Sequence, residues 1–276
     1  MIDWLAILED CARNMQTEIL KVYKTTEAGR QFGRGAGGDI KKKIDLVAET
    51  ALVETLRMHN ASCTLISEES GTRKIGAEPS KYILVADPLD GTTNALRGLP
   101  FMATSLAVSS KPYLKNVETA LVTDILHNVT YTAQKGKSAY KNRQAIKPSK
   151  TTSLREAVIG VDFNTFKAAE IVNRMIRVFE QTDHLRHLGA NALELCYVAD
   201  GTTDAFIDLR GKLRVTDMAA AQLILKEAGA IITTGEGKPL DAPLTATERV
   251  SFLAAANKTI FSKIQKLIGD KKTKTC

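Results

Sequence analysis

The sequence predicts a mixed α/β (α+β) protein of stacked sheets and helices rather than a simple doubly wound sheet. Apolar residues recur at helical spacing at the start of the chain and through its second half. From Cys63 to Gln134, by contrast, short β-rich runs dominate. A chain of 276 residues, 44% hydrophobic and 25% charged, also supplies enough core for one large unit or two closely packed halves.

Taken in order, Leu5, Leu8, Ala12, Met15, Ile19 and Val22 fall on one face of a long helix that Asp3 can cap. The glycine-rich "GRGAGGD" (33–39) ends that pattern and reads as a mobile loop. Its Gly33, Gly35 and Gly38 match the dinucleotide spacing G-x-G-x-x-G, but that fingerprint follows a strand, and here a helix precedes it. A second helix carries Ile44, Val47, Ala48, Ala51 and Leu52, with Asp45 and Glu49 one turn apart. "CTLIS", "YILVA", "ATSLAVSS", "ALVTDIL" and "VTYTAQ" then read as strands, with a turn near Gly136. The polar "KPSKTTSLRE" (147–156) predicts a boundary between halves 1–150 and 151–276 of one unit. Beyond it come the strand "EAVIGVDF", a helix over Ala168–Phe179, and the helix "NALELCYVAD" stopped by Gly201. The strand "DAFIDL", a capped helix "TDMAAAQLILKEAGA" ending at Gly229, "SFLAAA" and a last helix over Lys258–Leu267 complete the order.

Composition removes several function classes. The net charge of +7 includes Lys41–Lys43 and the tail lysines Lys271, Lys272 and Lys274, but no aromatic residues for base stacking are interleaved with them. A basic surface then suits a small anionic substrate better than nucleic acid. Cys11, Cys63, Cys196 and Cys276 are scattered, and His184 with His187 lacks companions at a zinc spacing. No apolar run approaches the roughly 20 residues that span a bilayer, and no signal pattern opens the chain, which predicts a cytoplasmic protein without a membrane partner.

Chemistry concentrates in "VADPLDGTTN" (85–94), whose core is echoed by "VADGTTDAFID" (198–208). In the first copy Asp87 and Asp90 follow an apolar strand, three residues apart, with Pro88 stiffening the backbone between them. Carboxylates converging there repel unless a hard cation such as Mg2+ or Mn2+ neutralises them; otherwise they cap a turn. Gly91, Thr92 and Thr93 look like a short helix start, whose free N–H groups favour a phosphate. In the second copy Asp200-Gly201 ends a helix and no Pro-X-Asp precedes it, so it reads as a helix stop. Glu68 and Glu69 end another strand. Asp217 opens the alanine-rich helix as a cap or as a further metal ligand.

"ISEES", "VADPLDGTTN" and "TDMAAAQLILKEAGA", in that order, resemble the inositol monophosphatase family, over essentially the whole chain. "GRGAGGDIKKKIDLVAE" and "HLGANALELCYVADG" look most like its archaeal branch, which acts on inositol-1-phosphate and fructose-1,6-bisphosphate. The resemblance implies a layered α/β/α/β/α sandwich of the sugar-phosphatase type, a homodimer, and two or three Mg2+ per site, with Mn2+ as a substitute. It implies that Glu68, Asp87 and the Leu89 carbonyl hold one ion, and that Asp87, Asp90 and Asp217 hold another. Glu68, with an Asp45–Thr92 pair, would orient the attacking water. Asp90, Gly91, Thr92, Gly189, Asn191 and Asp208 would line the substrate pocket, and Asp39 would be the acidic residue of the mobile loop. Arg186 and Arg214 are candidates to grip a second phosphate. The expected reaction is in-line hydrolysis of a phosphomonoester by metal-activated water. A 3'(2'),5'-bisphosphate nucleotidase or NADP phosphatase is the alternative within the superfamily, and a basic RNA-associated scaffold the alternative of another class.

Overall fold

Five layers stack in a computed structural model that describes residues 2–77 and 80–269; the tail lysines and Cys276 lie outside the described residues. The chain runs α1 (Trp4–Val22), β1 (Gln31–Arg34), β2 (Ile40–Lys42), α2 (Lys43–Met58), β3 (Cys63–Ser67), β4 (Gly71–Ile75), β5 (Ile83–Asp90) and α3 (Thr92–Arg97). Then come β6 (Ala103–Ser109), β7 (Val117–Asp124), β8 (Val129–Gln134), β9 (Ala139–Lys141) and β10 (Gln144–Ala145). The rest is β11 (Val158–Asp162), α4 (Ala168–Phe179), β12 (His184–Arg186), α5 (Asn191–Asp200), β13 (Ala205–Arg214), α6 (Val215–Ala228), β14 (Ile231–Thr233), β15 (Arg249–Ala255) and α7 (Lys258–Gly269). Among these helices none is long and apolar enough to cross a membrane.

An eight-stranded sheet has the order β10-β9-β8-β7-β6-β5-β3-β4, antiparallel except where β3 lies parallel to β5. A five-stranded sheet has the order β12-β11-β13-β15-β14, with β11 parallel to both of its neighbours. Strand alternation assigns the layers. Leu84, Ala86, Leu106 and Leu121 face α1 and α2 in one core, whereas Val85, Ala107 and Val122 join α5, α6, Phe206 and Phe252 in another. Ile207, Leu253 and Ala255, on the far face of the smaller sheet, pack against α4 and α7. Helix α6 is therefore covered by both sheets and is buried almost all round, with Ala219–Ala221 small enough to let them close on it. Helix α1, by contrast, buries only Trp4, Ile7, Leu8 and their one-turn repeats.

Two expectations change. The glycine-rich segment is a hairpin of β1 and β2, not a loop without structure; Gly35 N–H donates to the Asp39 carbonyl (2.8 Å) and closes the turn. Its tip is fastened to the end of β3, since Ala36 and Gly37 N–H donate to the Glu69 and Glu68 carbonyls at 3.2 and 2.9 Å. Strand β5 also continues through Asp90 instead of stopping at Ala86. Pro88 is accommodated because the pairing with β6 shifts between Asp87–Ser105 and Asp90–Ala103, a bulge where no N–H is required.

Candidate active site

The parallel neighbours β3 and β5 end side by side, so Glu68 and the Asp87–Asp90 bulge emerge at one edge of the larger sheet, facing the first turn of α6. One carboxylate oxygen each from Glu68, Asp87 and Asp217 lie within 4.8 Å of one another. An octahedral ion with bonds of about 2.1 Å spans oxygens roughly 3–4 Å apart, so the trio has the right scale for one. Its ligands are all oxygen, which selects a hard cation. Burial, then the mutual repulsion of Glu68, Asp217 and Asp90, pushes the Asp87 carboxyl well up, and Glu68 is raised for the same reasons. Asp90 is buried beside them and accepts the Ala192 N–H at 2.6 Å through Oδ2. The Leu89 carbonyl lies 3.1 Å from Thr92 Oγ1, whose one hydrogen has the shorter bond to Asp45.

Gly91 starts α3 in the left-handed region (φ 92°) and is wedged so tightly that a Cβ would stand 3.0 Å from the Phe101 carbonyl oxygen. First-turn N–H groups of a helix have no partner within it, and Gly91, Thr92 and Thr93 line the same cavity as the acids. Thr92 Oγ1 donates to Asp45 Oδ1 at 2.9 Å, while Asp45 Oδ2 accepts the Lys42 N–H, also at 2.9 Å. Burial pushes the Asp45 carboxyl up to about 6 despite these bonds. Asn94, the last residue of the first motif, donates to the carbonyls of Phe101 (2.8 Å) and Leu188 (2.7 Å) and so ties α3 to the loop before α5. Gly189 of that loop and Asn191, the first residue of α5, line the cavity, with Asn191 Oδ1 buried and without a hydrogen-bond partner among the described residues. The cavity encloses about 1170 Å³.

The second motif copy has a different setting. Gly201 caps α5 in the left-handed region, and the Asp200 carboxylate accepts from Tyr131 (2.9 Å) and Lys141 (2.7 Å), joining α5 to the larger sheet.

Three charged residues stand elsewhere than the sequence suggested. Asp208 is fully buried and does not line the cavity; it accepts Arg210 Nε (2.9 Å) and Nη2 (2.6 Å), so Arg210 is what it presents. The two residues alternate along β13 onto one face, a signal present in "DLR". Arg186 is exposed on edge strand β12, outside the cavity, and bonds the Leu185 carbonyl. Arg214 is in the cavity but among the acids, at 3.0 Å from Glu68 and 3.7 Å from Asp217, and it also pairs with Asp39 at the hairpin tip. Arg249, which no sequence motif singles out, donates to the Gly37 carbonyl at 2.8 Å and fastens the hairpin from the other side. Asp162 and Glu194 were likewise hidden. Asp162 meets Arg210 because β11 and β13 pair in register at Asp162–Asp208, and strand register is not written in either strand alone. Glu194 accepts the Leu188 and Gly189 N–H groups, and burial pushes it up to about 7.

The profile of the inositol monophosphatase family matches residues 3–271. The chain belongs to that family. A fructose-1,6-bisphosphatase/inositol-1-monophosphatase of Methanothermobacter thermautotrophicus is 36% identical over 275 residues, 96% of each chain. The Nus factor SuhB of Escherichia coli is 32% identical, covering 84% of this chain and 85% of its own. A crystal structure of an inositol monophosphatase–fructose 1,6-bisphosphatase superposes with a TM-score of 0.84 at 30% identity, over 96% of this chain and all of the other. Within the family's fold, the acid trio of this chain, the α3 start and the Asp45–Thr92 pair share one cavity.

Proposed function

We propose that this member of the inositol monophosphatase family is a Mg2+-dependent phosphomonoesterase acting on inositol-1-phosphate, fructose-1,6-bisphosphate or both. The observation that carries the proposal is the Glu68–Asp87–Asp217 trio, with both aspartates buried and Glu68 half-buried, beside a helix start in one cavity. Glu68, Asp87, the Leu89 carbonyl, Asp90 and Asp217 would hold the cations. When bound, they supply positive charge for the phosphoryl and leaving oxygens and lower the pKa of water.

The rest belongs to the chain. Asp45 takes the hydrogen of Thr92, which leaves the Thr92 oxygen lone pairs to accept from water and aim it. With its carboxyl near 6, Asp45 is mostly ionised at neutral pH and is placed to receive a proton. The Gly91 and Thr92 N–H groups hold a phosphoryl oxygen and strengthen as charge grows there. Arg214 balances charge within the acid cluster, a better description of its surroundings than a free grip for a second phosphate. We further propose a homodimer, as the resemblance implies, and a cytoplasmic location.

Phosphate release should be measured across inositol-1-phosphate, fructose-1,6-bisphosphate, a nucleoside bisphosphate and NADP, with Mg2+ or with chelator and without nucleic acid. Release from one or both of the first two, abolished by chelator, is the expected result. Preference for the nucleoside bisphosphate or NADP would transfer the site to nucleotides. No release from any ester would favour a second reading, an RNA-associated scaffold, which the net charge of +7 supports.

A further inference from the structure

We infer that His187 is a specificity residue that reads a hydroxyl group on the carbon ring of the substrate, an inference that rests on the phosphatase reading above. His187 precedes α5 on the cavity wall contributed by the second half of the chain. Its ring is held against Phe163, with centroids 5.1 Å apart and planes 32° apart. Nδ1 is sealed from solvent, has no hydrogen-bond partner among the described residues, and lies 4.0 Å from Asp162 Oδ1. With that nitrogen turned inward, Nε2 is the ring nitrogen left for the cavity.

The backing of the ring is rigid. Asp162 Oδ1 accepts the Asn164 N–H at 2.9 Å, and Oδ2 meets Arg210 Nη2 at 2.6 Å. Arg210 is in turn forked onto Asp208 and donates to the Asn164 carbonyl at 3.2 Å. This fixes the Asp162 charge behind the imidazole, as a polarising partner does.

Local charge identifies what the ring can read. Arg210 is already engaged by both Asp162 and Asp208, and Lys212 is the further cation on this wall. A hydroxyl is neutral, donates and accepts, and so pairs with Nε2 in either tautomer. The ligand chemistry is therefore a polyol ring bearing a phosphate monoester.

The test compares myo-inositol 1-phosphate with cyclohexyl phosphate, which has the same ring without hydroxyls. His187→Phe keeps a stacking ring and removes both nitrogens; His187→Gln keeps a polar group that reaches the Nε2 position. In His187→Phe the ratio of kcat/KM for the inositol ester to that for the cyclohexyl ester should fall about five- to tenfold, the span of one neutral hydrogen bond, and mainly through KM. His187→Gln should recover most of that ratio. A ratio in His187→Phe equal to the wild-type value, or a glutamine variant no better than phenylalanine, overturns the inference while leaving the phosphatase reading intact. A wild-type protein that hydrolyses neither ester with Mg2+ overturns the inference, and one that also leaves fructose-1,6-bisphosphate intact overturns the phosphatase reading with it.

Discussion

Asp87→Asn is expected to lower turnover by about three orders of magnitude or more while making the metal-free protein more stable. The activity loss follows because Asp87 is the acid that both proposed cation sites share, and a neutral amide at that point removes several kcal/mol of charge stabilisation from the transition state. The stability gain follows from the carboxyl itself. Asp87 is buried, its neighbours Glu68, Asp217 and Asp90 are all acidic, and its pKa is raised by that burial and repulsion. A carboxyl whose folded-state pKa is raised contributes stability that is complete below its unfolded pKa and is lost as pH rises through the folded one. Metal-free wild type should therefore weaken as pH climbs from the ordinary carboxylate range, and Asp87→Asn should weaken less. Asparagine keeps Oδ1, which accepts the Leu89 N–H at 3.1 Å, so the bulge itself survives. Thermal unfolding in chelator at several pH values, alongside turnover at saturating Mg2+, reads both halves. Wild-type turnover in the variant, or a lower melting temperature in chelator, would contradict the account.

The second large effect is a coupling. Asp45→Asn and Thr92→Val should each lower kcat by about two orders of magnitude, the usual scale for a general-base contribution. The double variant should be little worse than the poorer single one, because the 2.9 Å bond from Thr92 to Asp45 makes the two a unit. Multiplicative losses in the double variant would show that the two act separately. Asp45 also accepts the Lys42 N–H at the start of α2, so a melting curve of each variant separates lost chemistry from a frayed helix.

What the sequence made legible follows from how local each signal is. Helix α4 was read at Ala168–Phe179, the bounds it has, and Gly201 and Gly229 stop α5 and α6 in the left-handed conformation expected of them. Buried strands such as β3 announced themselves by apolar content. Strands β9, β10, β12 and β14 did not, being short, with β12 exposed at all three residues, and β4 did not because its GTRKI is mostly polar. The acid trio was legible because each member ends a strand or opens a helix. Arg210, Asp162 and Arg249 were not, because their roles depend on strand register and on a hairpin docked from the far end of the chain. Asp208 marks the limit most clearly. Its residue type suggested a contact with substrate, and only burial shows that it holds Arg210 instead.

The central claim is that the Glu68–Asp87–Asp217 cluster holds a divalent cation, and anomalous diffraction from Mn2+-soaked crystals tests it most directly. An anomalous peak about 2.1 Å from carboxylate oxygens of all three residues is the expected result. Crystals that hydrolyse substrate with Mn2+ yet show no peak at this cluster, or show one elsewhere, would contradict it.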